Sequence, residues 1–334
     1  MVEALLQHSM TPLLQRLMPP VTLARHAMAT RFEIVLPGEN PAALRAAGEE
    51  ALAEIEGLEA RLSLFQASSE IAHVNARAAR EPVRITPEVF ELLQWARRLH
   101  EESGGAFDIT IAPLVQCWGF MGGSGRVPAA DELAEARARV GMSLVHLNPA
   151  DFTVRFAREG VMLDLGAIGK GWAIERAAAI LRDAGVTSAL VHGGTSTVQA
   201  LGHPPEAECW RIALERPAAV PGGPTSLLAT VLLKDEAMSV SAVHGKFFQA
   251  KGRTYGHILD PRTGEPAAGA VLAAVVLPSA TETDALSTAL LTLGPAGHET
   301  IANLRPGMRT MVLGESGGRM QVAAHGIEVQ TAEA

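Results

Sequence analysis

The sequence predicts an α+β protein built of helices and sheets in layers, and three observations lead there. Hydrophobic residues make up 48% of the 334 and charged residues 19%, which is apolar material for an extensive core. Strand-like stretches come in pairs, 152–156 with 161–165 and 246–251 with 254–259, between segments of helical periodicity. That spacing is not the steady strand–helix alternation of a barrel. Glycine and proline punctuate the whole chain, but it lacks the polarity and charge of a disordered polymer.

Residues 22–36 end in a strand-like stretch closed by Pro37-Gly38, and 41–62 place Leu44, Leu52, Ile55 and Leu58 on one helical stripe. Thr86-Pro87 starts a helix that runs to His100 and stops at Gly104-Gly105. Residues 122–128 read as a loop, 131–140 as a helix, and 152–156 with 161–165 as a strand pair turning at Arg158-Glu159-Gly160. A helix from about Trp172 to Ala184 closes at Gly185, and a strand Ser188–His192 runs into Gly193-Gly194. A Pro/Gly loop at 217–224 precedes strands at 227–233, 246–251, 254–259 and 270–277, a helix at 282–293 and a last strand within 310–323.

With 28 Lys and Arg against 36 Asp and Glu the net charge is −8, and no basic stripe of the kind nucleic acid requires is present. An acidic chain that binds a phosphate ligand must supply local positive charge, through a metal ion, a helix N-terminus or a placed lysine. Cys117 and Cys209 are too few for a disulfide framework or a zinc site, and each adjoins a Trp in apolar surroundings, as buried thiols do. No apolar run is long enough for a membrane span. The first twenty residues carry Glu3 where a signal peptide needs basic charge, and no Cys precedes Cys117; they read as a short amphipathic helix on a cytoplasmic protein.

Four segments carry candidate chemistry. In LDLGAIGKGWAIERAAAIL, 163–181, a strand ends at Asp164, glycines allow a tight turn, and Lys170 sits beside a helix start, a combination that suits a phosphate. It is not a Walker A loop, because Asp164 stands where the first glycine belongs and Gly171 where Ser or Thr belongs. A plain strand–turn–helix junction is the alternative. In ATETDALSTALLTLG, 280–294, Thr281 and Thr283 are candidate N-caps. Asp284 and Thr288 lie four apart on one helix face and form a hard oxygen pair suited to Mg²⁺; the plainer role for Asp284 is to complement the helix dipole. In TYGHILDPRTGEP, 254–266, His257 lies on a strand that enters an Asp-Pro turn, either as a general base or as a packed strand residue. In SGGAFDITIAPLVQCWGF, 103–120, Gly104-Gly105 opens a loop ahead of a packed segment.

Taken in order, GGAFDIT, DLGAIGKG, HILDPRTG and TDALSTA resemble the ApbE family of FAD:protein FMN transferases; HAMATRF resembles the family's start and SLFQASSEIAHVN its Ser/aromatic…Ser-Glu…Asn stretch. The resemblance runs from about Met28 to Leu313. It implies an ApbE-like, T-fold-like architecture of mixed, mostly antiparallel sheets packed with helices, spanning 21–325 between an N-terminal extension (1–20) and a frayed C-terminus (326–334). It implies that Asp284 and Thr288 ligate Mg²⁺ with the Ala167 carbonyl, and that Met28, Phe65, Ala106, Phe107, Asp108, Asp164, Lys170 and Ile258 contact FAD. His257 would take a proton from the Ser or Thr of an acceptor flavoprotein bearing Asp-x-x-Ser/Thr-Gly-Ala-Ser/Thr, to give phosphoester-linked FMN and AMP. An FAD pyrophosphatase and a non-catalytic flavin carrier are the competing functions. The chain departs from the family pattern at Thr195-Ser196, at Ser239-Val240-Ser241-Ala242, at Gly256 and at Thr283, positions that bear on acceptor and flavin contacts more than on the metal.

Overall fold

The run 270–277 is apolar at nearly every position because it divides two cores. Ala273, Val275 and Leu277 face one, while Leu272, Ala274 and Val276 face the other, as the two-residue period of a strand buried on both sides requires. The structure, a computed structural model, describes residues 19–216, 226–243, 247–250, 252–316 and 319–329. Its elements are β1 (Val21–Ala27), β2 (Thr30–Leu36), α1 (Pro41–Leu62), α2 (Glu70–Arg77), β3 (Val83–Arg84), α3 (Pro87–Glu102), α4 (Ala112–Cys117), α5 (Ala130–Arg137), β4 (Val145–Asn148) and β5 (Thr153–Phe156). There follow α6 (Gly169–Asp183), β6 (Ala189–Gly193), β7 (Thr197–Leu201), β8 (Trp210–Arg216), β9 (Ser226–Leu233), β10 (Ala237–Ala242), β11 (Phe247–Ala250), β12 (Arg253–Gly256), β13 (Ala270–Leu277), α7 (Ala280–Leu293), α8 (His298–Ala302), β14 (Arg309–Ser316) and β15 (Arg319–His325).

The main sheet has the order β1-β2-β6-β7-β10-β13-β14-β15, and each neighbouring pair is antiparallel. The protein is therefore α+β, as its sequence predicts. Helices α1, α6 and α7 cover one face around Phe32, Ile34, Leu52, Ile55, Leu58 and Leu290. The ribbon β8–β9 covers the other through Leu214, Leu228 and Val231. Each such side chain contributes about 1.5–3 kcal/mol of burial, so this double-sided core is the principal stabilising feature. Among the described residues no helix is long and apolar enough to cross a membrane.

The structure corrects several boundaries. The strand expected at the end of 22–36 is β2, and the residues before it form a second strand, β1, paired with it in a hairpin. The strand at 153–156 pairs with β3 and β4, not with 161–165. Residues 161–165 run outside the strand ladders because the Asn75 side-chain amide takes both backbone groups of Leu163, at 2.7 and 3.0 Å. The stretch 310–323 is the hairpin β14–β15. Ser279, not Thr281 or Thr283, caps α7, accepting the N–H of Glu282 at 3.2 Å. Thr86 does not cap α3 with its side chain; its hydroxyl and N–H go to the Glu70 carboxylate, at 3.0 and 2.7 Å. Helix α2, the short helix α4 and strands β7, β8 and β10 were not expected. The expected helix at the N-terminus lies outside the described residues except for Pro19 and Pro20, as do the loop 217–224 and the terminal residues 330–334.

Candidate active site

The loop between β1 and β2 turns on Met28 and Ala29, with φ of +50° and +57°. Neither is the glycine or asparagine that usually holds a left-handed turn, and such strain persists where surrounding structure enforces it, often beside a functional site. Met28 and Ala29 line a cavity of about 220 Å³, together with Phe65, Asp164, Gly166 and Lys170. Those last four also line a larger adjoining cleft of about 550 Å³. Phe65 sits at 76% exposure between them, an apolar ring held out to solvent. The Ser63 hydroxyl positions its loop by accepting the N–H groups of Phe65 and Gln66, each at 3.2 Å.

The floor of the cleft is the junction of α6 and α7. Helix α6 begins at Gly169, three residues earlier than the sequence implied, which puts Lys170 and Gly171 in its first turn. Gly171 is there because the helices touch: a Cβ on it would lie 2.2 Å from the Ala280 carbonyl oxygen and 2.7 Å from Asp284 Cβ. Its N–H donates to Asp284 Oδ2 at 2.9 Å, so the carboxylate caps α6. The other oxygen, Oδ1, has only long contacts, 3.5 Å from Thr197 Oγ1 and 3.8 Å from Lys170 Nζ. Lys170 Nζ also donates to the Gly166 carbonyl at 3.1 Å. Burial pushes the Asp164 carboxyl above its usual range, against the opposing pull of the Gly166 N–H and the Lys170 charge. Gly171→Ala is expected to destabilise the fold by about 1–3 kcal/mol, because the clash is with a backbone carbonyl that no rotamer relieves. Thermal denaturation checks this; an unchanged midpoint would contradict the close packing.

Thr288, one turn beyond Asp284, donates to the Asp284 carbonyl at 3.3 Å and lies 3.2 Å from Ser241 Oγ. Strand β10 places Ser239 and Ser241 two apart on one face, towards α7. Ser239 meets Thr283 at 2.8 Å and Ser241 meets Ser287 at 2.9 Å. Ser241, Ala242 and Ser196 line the cleft and were passed over in the sequence as site residues. Their only signal was the departure from the family pattern at those positions.

The opposite wall holds Ala106, Phe107 and Asp108. Gly104 and Gly105, with φ of +61° and +78°, turn the chain into this segment. The Asp108 carboxylate is occupied within the protein: Oδ1 accepts the N–H and hydroxyl of Thr110 at 2.7 and 2.6 Å, and Oδ2 lies 3.1 Å from His100 Nδ1. Burial opposes a charge on His100, but the hydrogen bond and charge of Asp108 outweigh it and raise the imidazole above its ordinary value. Asp108 thus shapes the wall.

His257 is not on a strand, since β12 ends at Gly256. It leads into a turn in which Asp260 accepts from Arg262 through Nε at 2.9 Å, Nη2 at 2.7 Å and the backbone N–H at 2.9 Å. Trp118 Nε1 ties that turn down by donating to the Gly264 carbonyl at 2.8 Å. The imidazole faces the cleft and meets Phe120 edge-on, with ring centroids 6.5 Å apart. Phe120 belongs to an aromatic cluster with Trp118, Phe248 and Tyr255 that buttresses the hairpin β11–β12. Cys117 packs in the same cluster, where burial pushes its thiol up, as suits an inert structural cysteine.

The site residues named from sequence therefore converge. Phe65, Ala106, Phe107, Asp108, Asp164 and Ala167 line the cleft, and Lys170, His257, Ile258, Asp284 and Thr288 complete it; Met28 lines the adjoining cavity. The ApbE family model matches residues 28–312. The chain belongs to the ApbE family. Two ApbE-family relatives carry the name FAD:protein FMN transferase. The one from Treponema pallidum is 32% identical over 285 residues, 81% of this chain and 78% of that protein. The one from Haemophilus influenzae is 29% identical over 283 residues, 82% of this chain and 81% of that protein. Among solved structures, the ApbE protein of Thermotoga maritima matches with a TM-score of 0.80 at 28% identity, covering 90% of this chain and 96% of its own. The flavinyl transferase ApbE of Pseudomonas stutzeri matches with a TM-score of 0.79 at 29% identity, covering 92% and 95%.

Proposed function

We propose that this ApbE-family enzyme binds FAD and Mg²⁺ in the cleft and transfers the FMN half to a Ser or Thr hydroxyl of an acceptor flavoprotein with the motif Asp-x-x-Ser/Thr-Gly-Ala-Ser/Thr, releasing AMP. The observation that carries the reading is the meeting of Lys170, His257, Asp284 and Thr288, from three distant segments, around one cleft.

The donor set fits magnesium. The two cavities bring Asp164 and Asp284 together, and among the described lining residues Lys170 is the one lysine or arginine. A pyrophosphate added there leaves excess negative charge that a divalent cation balances. Asp284 Oδ1, the Thr288 hydroxyl and the Ala167 carbonyl are hard oxygen donors of the kind Mg²⁺ takes, with room left for water or phosphate oxygens. Among the described residues no cluster of three or more His, Cys, Asp and Glu forms a metal site, so a transition-metal cage is not the model for this centre. When bound, the ion would supply positive charge to the pyrophosphate oxygens in the transition state.

The residues divide the remaining work. Lys170, in the first turn of α6, offers its ammonium to phosphate. Phe65, Met28, Phe107 and Ile258 supply apolar walls for the ring systems. His257 accepts the proton of the acceptor hydroxyl as its oxygen bonds to the FMN phosphorus. The bond from that phosphorus to the bridging oxygen breaks, and the electron pair leaves with AMP. A hydroxyl is a weak nucleophile at neutral pH, so a base in this position favours transfer over simple flavin storage.

The protein is expected to bind FAD at least about ten-fold more tightly than FMN, because Lys170 and the divalent cation would engage the second phosphate that FMN lacks. Calorimetry with both flavins and Mg²⁺ checks this, and equal affinities would contradict it.

A further inference from the structure

Helices α6 and α7 exchange carboxylates about their point of contact. They meet where Gly171 abuts the Ala280 carbonyl. One turn past that point on α7, Asp284 reaches back to the Gly171 N–H at 2.9 Å. One turn past it on α6, Glu175 reaches back to the start of α7. Its Oε2 accepts from the Thr281 N–H at 2.9 Å, the Thr281 hydroxyl at 2.7 Å and the Ser279 hydroxyl at 2.7 Å. Ser279 is the N-cap of α7, so Glu175 orients the cap itself. Three charge-assisted hydrogen bonds on one oxygen, across more than a hundred residues of sequence, fix the rotation and height of α7 against α6.

That register decides where Asp284 and Thr288 present their oxygens. Hard-cation sites tolerate little displacement of their ligands, and groups that hold ligands in place typically affect metal affinity by about 10–100-fold. We propose that Glu175 is a positioning residue for the divalent-cation site, acting through the N-terminus of α7 without touching the cation or the substrate. This rests on the reading of the cleft as a Mg²⁺ site. A neutral amide at 175 retains an acceptor oxygen but loses the charge that holds three donors at once; a methyl group retains neither.

The test is Mn²⁺ binding to the purified full chain, followed by electron paramagnetic resonance of the free ion with Mg²⁺ as competitor, alongside melting temperatures in EDTA. The parent is expected to bind Mn²⁺ competitively with Mg²⁺, and Asp284→Ala to lose that binding. Glu175→Ala should weaken binding about ten-fold or more, and Glu175→Gln by less, with the loss persisting at temperatures where each variant is fully folded. If Glu175→Ala does not fold, Glu175→Gln decides alone. Parental affinity in the folded variants, whatever their melting temperatures, would overturn the inference while leaving the cation site standing. A parent that binds no Mn²⁺, or an Asp284→Ala variant that binds like the parent, would overturn the cation reading and this inference with it.

Discussion

His257→Ala is expected to lower FMN transfer by about 10²–10⁴-fold, the contribution of a well-placed general base. At about 1.4 kcal/mol per decade this is about 3–5.5 kcal/mol of transition-state stabilisation. FAD affinity should change little, because in the proposed arrangement the pyrophosphate would lie against Lys170 and the Asp284 side of the cleft, while His257 follows β12. Slow hydrolysis of FAD to FMN and AMP should survive better than transfer, since water has other routes by which to lose a proton. A His that merely packs against Phe120 would give a different pattern, with stability falling and both reactions declining in parallel. Transfer, hydrolysis and melting temperature measured on one preparation separate the two. Parental transfer with unchanged stability would remove His257 from the mechanism.

Asp284→Ala should abolish Mg²⁺-dependent turnover. Asp284 brings the only formal charge among the three proposed protein ligands, and among the described residues its Oδ1 has only the long contacts to Thr197 and Lys170. The same change removes the cap on Gly171, so a loss of about 1 kcal/mol in stability is expected with it. That cost is small beside the loss of activity, and a folded, inactive variant is the expected product. Activity at low Mg²⁺ in a folded Asp284→Ala protein would contradict the metal assignment.

What was legible in the sequence was what local pattern encodes. Asp284 and Thr288 could be paired because a helix puts positions four apart on one face, and α1 could be placed because Leu52, Ile55 and Leu58 form its buried stripe. The turn at Met28-Ala29 could not be read, because its left-handed backbone is held by residues that do not signal one. The segment 161–165 carries the apolar character of a strand, yet its backbone is paired by a side chain from α2, which no periodicity in 161–165 reports. Ser239 and Ser241 lie in a strand short of β-branched residues, so β10 and its hydroxyls facing α7 went unseen. Nothing in the helical pattern of α6 marks Glu175, whose hydrogen bonds exist only because two helices separated by a hundred residues meet at Gly171.

The decisive question is whether FMN leaves FAD for a protein hydroxyl in this cleft. Incubating the protein with FAD, Mg²⁺ and an acceptor flavoprotein carrying the motif, then separating the products on a denaturing gel, tests it most directly. The expected result is flavin fluorescence that stays with the acceptor band after denaturation, needs both FAD and Mg²⁺, disappears when the acceptor Ser or Thr is replaced by Ala, and is matched by one AMP per flavin attached. Release of free FMN and AMP with a dark acceptor band would contradict it and leave a pyrophosphatase in its place.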